Sequence, residues 1–269
     1  MSNIEWTEKT WNPIVGCTVV SPGCTNCYAM KMAGRLERMN PTGGTNSDYV
    51  NPYDGTTKKT KGGAVWTGKM ALSENALLEP LKRKKPTMYF VNSMGDLFHE
   101  NAPDEWIDQV FSVMAKCQQH TFQVLTKRSK RMLEYITSCQ HGADDIGGVW
   151  PLPNVWLGVS CEDQTRWNER WPDLARTPAA IRFVSAEPLL GQIDMVGSGK
   201  LDWVIAGGES GPGARPMQPE WARDIRDQCK IANVNFFMKQ MSGVRKASMP
   251  PIPDDLMIRE MPAINGDKK

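Results

Sequence analysis

The sequence predicts an α/β protein built as a full or partial TIM-like (βα) barrel of about six to seven parallel strands. Three observations predict it. Short apolar strands alternate with amphipathic helices over most of the chain, the pattern of a parallel sheet with helical crossovers. Nearly every one of those strands ends in a charged or hydroxyl residue, and in a parallel barrel all strand ends open onto one rim. No G-x-G-x-x-G follows the first strand, which counts against a dinucleotide-binding version of the alternative, a doubly wound open sheet. With 269 residues the chain can bury the core of one large α/β domain or two small ones.

The elements follow in order. Trp11-Asn-Pro-Ile-Val-Gly16 reads as a short strand running into a cysteine-bearing loop, and a helix follows from Tyr28 to about Met39, with Met30, Ala33 and Leu36 on one face. From Pro41 to Lys69 the chain is rich in Gly, Thr, Asn and Lys and reads as a long irregular polar insertion, made basic by Lys58, Lys59, Lys61 and Lys69. A helix is expected from about Ser73, its N-cap, to Lys84. Strands are expected over Met88–Asn92, Phe122–Thr126, Val155–Ser160, Ile181–Ser185, Trp203–Ala206 and Asn235–Met238. Helices lie between them. One opens at Pro103-Asp-Glu-Trp106 with Ile107, Val110, Phe111 and Met114 inward, one spans roughly Ser129 to Ser138, one carries Trp167, Trp171 and Leu174, and one opens at Pro219-Glu-Trp221. The barrel occupies residues 1–240, and the proline-rich tail 241–269 is expected to pack across one end of it.

Composition narrows the class. The net charge of +2 does not announce a nucleic-acid binder. Seven cysteines, an odd number in so long a chain, do not make a secreted disulfide framework. Ser2-Asn3-Ile4-Glu5 is polar and acidic, unlike a signal peptide, and no apolar run reaches the length of a membrane span. The expectation is a soluble protein of a reducing cytoplasm.

Three of the cysteines, Cys17, Cys24 and Cys27, fall within eleven residues with the spacing C-x6-C-x2-C, and the next histidine or cysteine is His99. A structural zinc site wants four protein ligands. Three thiolates suit a metal centre with one open position, such as a four-iron cluster with one free iron. Zinc with a distant fourth ligand and three unrelated buried thiols are the other readings. Cys117, Cys139 and Cys229 fall in expected helices and read as small apolar residues, and His99 and His120 as surface or capping groups.

The strand ends deliver Asn92-Ser93-Met-Gly-Asp96, Thr126-Lys127-Arg128, Ser160-Cys161-Glu162-Asp163, Ser185-Ala-Glu187-Pro188, Gly207-Gly-Glu209-Ser210 and Lys239-Gln240 to the rim that also holds the cysteine loop. Each has an ordinary reading as a turn, a cap or a surface charge. Their joint placement predicts a polar active-site bowl.

A partial βα barrel with three cysteines after its first strand resembles the radical S-adenosylmethionine (SAM) superfamily, whose usual spacing is C-x3-C-x2-C; here the first gap is six residues. Trp11-Asn-Pro, the cysteine motif with Tyr28-Ala29, Ser93-Met-Gly-Asp96-Leu-Phe-His99 and Gly207-Gly-Glu209-Ser210-Gly211 together resemble the phage and bacterial "three-Cys-motif" proteins. The resemblance covers Ile4 to about Lys239. It implies a [4Fe-4S] cluster on Cys17, Cys24 and Cys27, and SAM held on the open iron by its amino and carboxylate groups. It implies reductive cleavage of the sulfonium to methionine and a 5′-deoxyadenosyl radical. In the superfamily a Gly-Gly-Glu element after the second strand usually holds the SAM amino group; here that strand delivers Ser93 to Asp96, so Asp96 is the candidate by position. Lys127, Ser160 and Glu187 are candidates for the carboxylate, ribose and adenine surroundings. Glu209, Lys239 and, as a hydrogen-atom donor, Cys161 are candidates facing the substrate.

The expected function is therefore a radical SAM-type enzyme served by a reductase or flavodoxin-like electron donor, with a nucleic acid or nucleotide as the expected substrate class, since the basic insertion and Lys82-Arg-Lys-Lys85 both favour a polyanion partner. A separate partner protein is a further expectation. The alternative is a zinc- or cluster-stabilised nucleic-acid-binding module without catalysis.

Overall fold

The computed structural model describes residues 4–39, 42, 50–139 and 150–263. In chain order the elements are β1 (Lys9–Trp11), β2 (Ile14–Val15), α1 (Tyr28–Met39), β3 (Thr57–Thr60), β4 (Gly63–Trp66), β5 (Ala71–Leu72), α2 (Glu74–Leu77), β6 (Met88–Val91), α3 (Asp104–Lys116), β7 (Thr121–Thr126), α4 (Ser129–Cys139), β8 (Val155–Ser160), α5 (Gln164–Arg176), β9 (Ile181–Ala186), β10 (Trp203–Gly207), α6 (Pro219–Ala232) and β11 (Asn235–Gln240).

Seven strands pair in parallel in the order β1-β6-β7-β8-β9-β10-β11. The sheet curls into a half-barrel surrounded by helices, a partial TIM-like barrel. The six strands expected from Met88 onward all form and neighbour one another in chain order. Helices α3 to α6 return the chain between most successive strands, and an irregular connection links β9 to β10.

The period-2 alternation of the strands separates two apolar layers. On β8, Val155, Leu157 and Val159 point outward into the layer beneath the helices, together with Val124, Val184, Val204 and Phe236 of the other strands. The alternate positions point inward, where Phe90, Trp156, Phe183, Trp203, Ile205 and Phe237 gather around Trp6. Trp6 packs its ring 4.7 Å from that of Phe90 and 6.1 Å from that of Trp203, so the segment before β1 plugs the half-barrel. Gly158 faces this layer. A Cβ built there would lie 2.6 Å from the Phe183 ring.

Three expectations need correction. The predicted first strand is two short ones. β1 pairs with β6 at the sheet edge, and β2 turns away to pair antiparallel with β5. Pro13 sits between them and cannot donate to a ladder. The helix expected to run to Lys84 stops at Leu77, and Pro80 opens a separate 3₁₀ turn to Lys82, since its ring cannot be accommodated inside a helix. The insertion is not wholly irregular. β3 and β4 form a hairpin with Thr57 opposite Trp66 and Thr60 opposite Gly63; residues 41 and 43–49 of the insertion lie outside the described residues.

After β11 the tail comes back alongside it. Met238 N donates to Ile258 O at 2.9 Å and Glu260 N to Phe236 O at 3.0 Å. The tail thus covers the free edge of the sheet, which would otherwise present unpaired backbone groups. Among the described residues no helix is long and apolar enough to cross a membrane.

The close approach at Gly158 yields a test of the inner layer. Gly158→Ala drives a methyl group into a ring fixed by Trp203 and Trp6, and is expected to cost about 1–3 kcal/mol. Gly199→Ala, where an added Cβ meets nothing within 4 Å, is expected to stay within about 0.5 kcal/mol of wild type. Urea denaturation midpoints measure both.

Candidate active site around the cysteine loop

The loop between β2 and α1 carries the three cysteines. It begins at Gly16, whose φ of +101° and whose missing Cβ, 2.1 Å from Lys69 O if present, leave room for no other residue without displacement. A 3₁₀ turn over Pro22–Cys24 follows, and Cys27 N donates to Cys24 O at 3.3 Å just before α1 begins. All three sulfur-bearing residues are free cysteines and all three line one cavity of about 150 Å³. Among the described residues no three Cys, His, Asp or Glu side chains converge as ligands of a single ion.

Buried polar and charged side chains from four strand ends hold this loop. Beyond β8, Glu162 is fully buried; its Oε1 accepts from Gly23 N at 3.0 Å and its Oε2 from Arg170 Nη1 at 3.0 Å. Burial alone would raise the Glu162 carboxyl, but the charges of Lys127 and Arg170 hold it below the usual range. Beyond β10, Glu209 takes a bidentate Arg215 fork, with Nη2 on Oε1 at 2.6 Å and Nε on Oε2 at 2.9 Å, and Asn26 Nδ2 of the loop at 3.0 Å. The same Arg215 donates to Pro22 O at 2.9 Å. Burial opposes ionisation of Glu209 as well, and the Arg215 hydrogen bonds outweigh it. Beyond β7, Arg128 donates to Asp96, to Glu100, to Thr18 Oγ1 at 2.6 Å and, through Nη1, to Cys17 Sγ at 3.6 Å. Beyond β6, His99 is fully buried, accepts Asn101 N at Nδ1 (3.0 Å) and reaches Thr18 Oγ1 through Nε2 (3.1 Å). Burial and then Arg128 push its pKa down, so it bridges as a neutral imidazole.

A second cavity of about 200 Å³ adjoins the first; Cys27, Tyr28, Lys127 and Ser160 line both. The structure brings together most of the predicted site residues here. Ser93 lines the cysteine cavity, with its hydroxyl on Asn12 Oδ1 at 3.1 Å. Glu187 and Lys239 line the second cavity as an ion pair, and Ser160 and Ser185 stand between them and the cysteines. Lys127 offers its ammonium to both cavities; among the described residues it has no hydrogen-bond partner there.

Three candidates change role. Asp96 lines the cysteine cavity, but Thr126 Oγ1 (2.6 Å) and Phe98 N (3.1 Å) fill Oδ1, while Lys127 N (3.1 Å) and Arg128 Nη1 (3.0 Å) fill Oδ2. A carboxylate has about four lone-pair sites, so Asp96 ties β6 to β7 and has no acceptor to spare for an amino group. Glu209 is saturated in the same way and acts as a clamp. Cys161 is fully buried in the outer apolar layer, with Sγ 3.7 Å from Arg166 O and its thiol pushed up to about 12 by burial. It lines neither cavity, because Ser160 holds the inward position of β8 and the next residue points away. Cys117 and Cys229 are buried thiols as expected, and the Cys139 side chain lies outside the described residues. His120, expected near the surface, is buried against Pro80 O.

Sequence reasoning placed Asn92 on the rim but gave it no role. It is 3% exposed, sits at φ 58° at the end of β6 and lines the cysteine cavity. Its Oδ1 accepts from Ile14 N at 3.4 Å, whereas its Nδ2 has no partner. An unpaired buried donor costs about 1–3 kcal/mol. A ligand with acceptor atoms in this cavity would satisfy it. Cys17, pushed up to about 12 by burial and by Asp96, stays a thiol until a positive centre takes the proton's place. The donor set thus fits a thiolate-ligated group with acceptor atoms on its surface.

A family model described as protein of unknown function (DUF5131) matches residues 1–267. The chain belongs to the DUF5131 family. A comparison with curated proteins found no match. In this DUF5131 protein the family match spans the half-barrel and the cysteine loop together.

The clamps predict an acid limb in stability. Because folded Glu162 and Glu209 ionise below the ordinary value of 4.5, the unfolded chain binds protons first as pH falls. Their contribution is therefore full above about pH 4.5 and lost below it. Glu162→Gln is expected to flatten that limb and, by leaving Arg170 buried without its partner, to cost about 3–5 kcal/mol at pH 7. Denaturation midpoints across pH for wild type and variant measure both effects.

Proposed function

We propose that this DUF5131 protein is a radical SAM-type enzyme that holds a [4Fe-4S] cluster on Cys17, Cys24 and Cys27 and SAM in the adjoining cavity. The observation that carries the reading is the shared cavity. Three loop cysteines, an unpartnered buried donor on Asn92 and a free ammonium on Lys127 face one space at the C-terminal end of a parallel half-barrel. Cysteine ligands of a cluster attach to different irons and need not converge on a point.

When bound, the pair would supply one-electron reductive cleavage of a sulfonium, with the electron delivered by an external reductant. The chain's own groups do the rest. Arg128 lends an N–H and positive charge to Cys17, and Asn92 Nδ2 a second N–H to the cluster surface. Lys127 holds the SAM carboxylate as a charge-assisted partner. Ser160, Ser185 and the Glu187–Lys239 pair offer hydrogen bonds of both signs to the ribose and adenine. Phe90, Leu125 and Trp6 form the apolar floor that keeps water out from below.

Anaerobic reconstitution followed by iron analysis tests the metal. About four irons per chain are expected, lost in Cys24→Ala and kept in Cys229→Ala; a colourless protein with zinc would overturn the reading. With dithionite and SAM, 5′-deoxyadenosine is expected in the absence of substrate. Lys127→Met is expected to weaken SAM binding roughly ten- to a hundred-fold while iron content stays intact. Unchanged affinity in that variant would remove Lys127 from the site.

A further inference from the structure

We propose that the exposed face of α1, together with the β3–β4 hairpin, is a docking surface for single-stranded nucleic acid that leads one nucleotide to the mouth of the cavities; this names the substrate class of the site proposed above and rests on that reading for its catalytic meaning. Residues 28–69 hold seven basic and three acidic side chains, whereas the rest of the chain holds twenty-five basic and twenty-seven acidic ones. The positive charge of the protein is thus concentrated beside the cysteine loop. Arg35, Arg38, Lys58, Lys59 and Lys61 are all exposed, and among the described residues none of them pairs with an acidic side chain. Elsewhere exposed arginines do, as with Arg176 on Asp173 and Arg259 on Glu5.

The second observation is the shape of α1. Its inward face is Met30, Ala33 and Gly34, and the β3–β4 hairpin seats on that side, with Thr57 Oγ1 on Glu37 Oε2 at 2.9 Å. Its outward face carries Tyr28, Met32, Arg35 and Met39, a stripe at positions i, i+4, i+7 and i+11. Tyr28 is 50% exposed, Met32 40% and Met39 60%. Tyr28, Met32 and Met39 give this row flat or polarizable apolar surface, Arg35 within it is a cation with no acidic partner among the described residues, and the row starts at Tyr28, which lines both cavities. Single-stranded binders combine those two features, cations along the phosphates and stacking surfaces for bases. Duplex bases are already stacked and would leave the stripe unused. An acidic protein or an anionic membrane would use the charge but has no need of an aromatic at the cavity mouth.

Fluorescence anisotropy of a labelled mixed-sequence strand of about 16 nucleotides, as DNA and as RNA, against the full chain at low salt is the test. Both strands, or one of them, are expected to bind more tightly than the matching duplex. Lys58→Glu/Lys59→Glu/Lys61→Glu is expected to weaken binding at least about tenfold and to reduce the log–log salt slope by about two. Tyr28→Ala is expected to weaken it roughly fivefold or more with the slope unchanged. Lys82→Glu/Lys84→Glu/Lys85→Glu alters as many cations just before β6, at the opposite end of the half-barrel, and is expected to leave affinity as it is. The proposal is overturned if no strand binds, if the Lys82–Lys85 set matters as much as the hairpin set, or if phosphatidylserine vesicles or a poly-glutamate peptide bind α1 in place of the strand. Cys24→Ala separates the two readings. Strand binding that survives without iron supports the surface alone, and iron with deoxyadenosine but no strand binding leaves the enzyme reading standing without this substrate class.

Discussion

The cysteine loop has one 3₁₀ turn and no strand of its own, so its shape depends on the buried carboxylates that grip it. Glu162 takes the backbone N–H of Gly23 while Arg170 neutralises it, and Glu209 takes Asn26 while Arg215 neutralises it. A lone buried carboxylate would have to protonate; Glu162 keeps its charge through Lys127 and the buried Arg170, and Glu209 through the half-buried Arg215. Removing either partner exposes the other to the full cost of desolvation, of order 3–5 kcal/mol. The loop therefore keeps its shape only while the half-barrel that aims these side chains stays intact.

The same arrangement explains how a rim of ordinary-looking residues becomes a site. Parallel pairing sends every strand end to one side, and alternation along each strand then selects which residues face the space. Ser160, Ser185, Glu187 and Lys239 share one cavity by this rule, and Cys161 is excluded by it. Charges near the loop divide into two groups. Asp96 and Glu209 spend their acceptors on the protein, and Glu162 spends its charge on Gly23 N and Arg170. Lys127 and Asn92 Nδ2 spend nothing, and unspent buried or half-buried polar groups are where a ligand is to be sought.

Much of the fold was legible in the sequence because it is carried by local pattern. The apolar runs from Met88, Phe122, Val155, Ile181, Trp203 and Asn235 are short and mostly separated by amphipathic helices, and a parallel sheet in chain order is the simplest way to bury them. The errors fell at prolines and in the insertion. Pro13 and Pro80 interrupt elements whose apolar pattern runs straight through them, and the β3–β4 hairpin is built from Lys, Thr and Gly, which carry no apolar alternation.

By itself the sequence determined the six parallel strands from Met88 onward, their direction and the clustering of Cys17, Cys24 and Cys27, since all three follow from residue type and spacing along the chain. Only the tertiary structure decided which polar residues are at liberty. Asp96 and Glu209 read as available acids, and Asn92 as the last residue of a strand; partners far along the chain decide otherwise, Thr126 and Arg128 for the first, Asn26 beside the nearby Arg215 for the second, and Ile14 for the third. Hydrogen-bond saturation is a property of such distant pairs. It is set by how the strands pack side by side, and no local pattern encodes it.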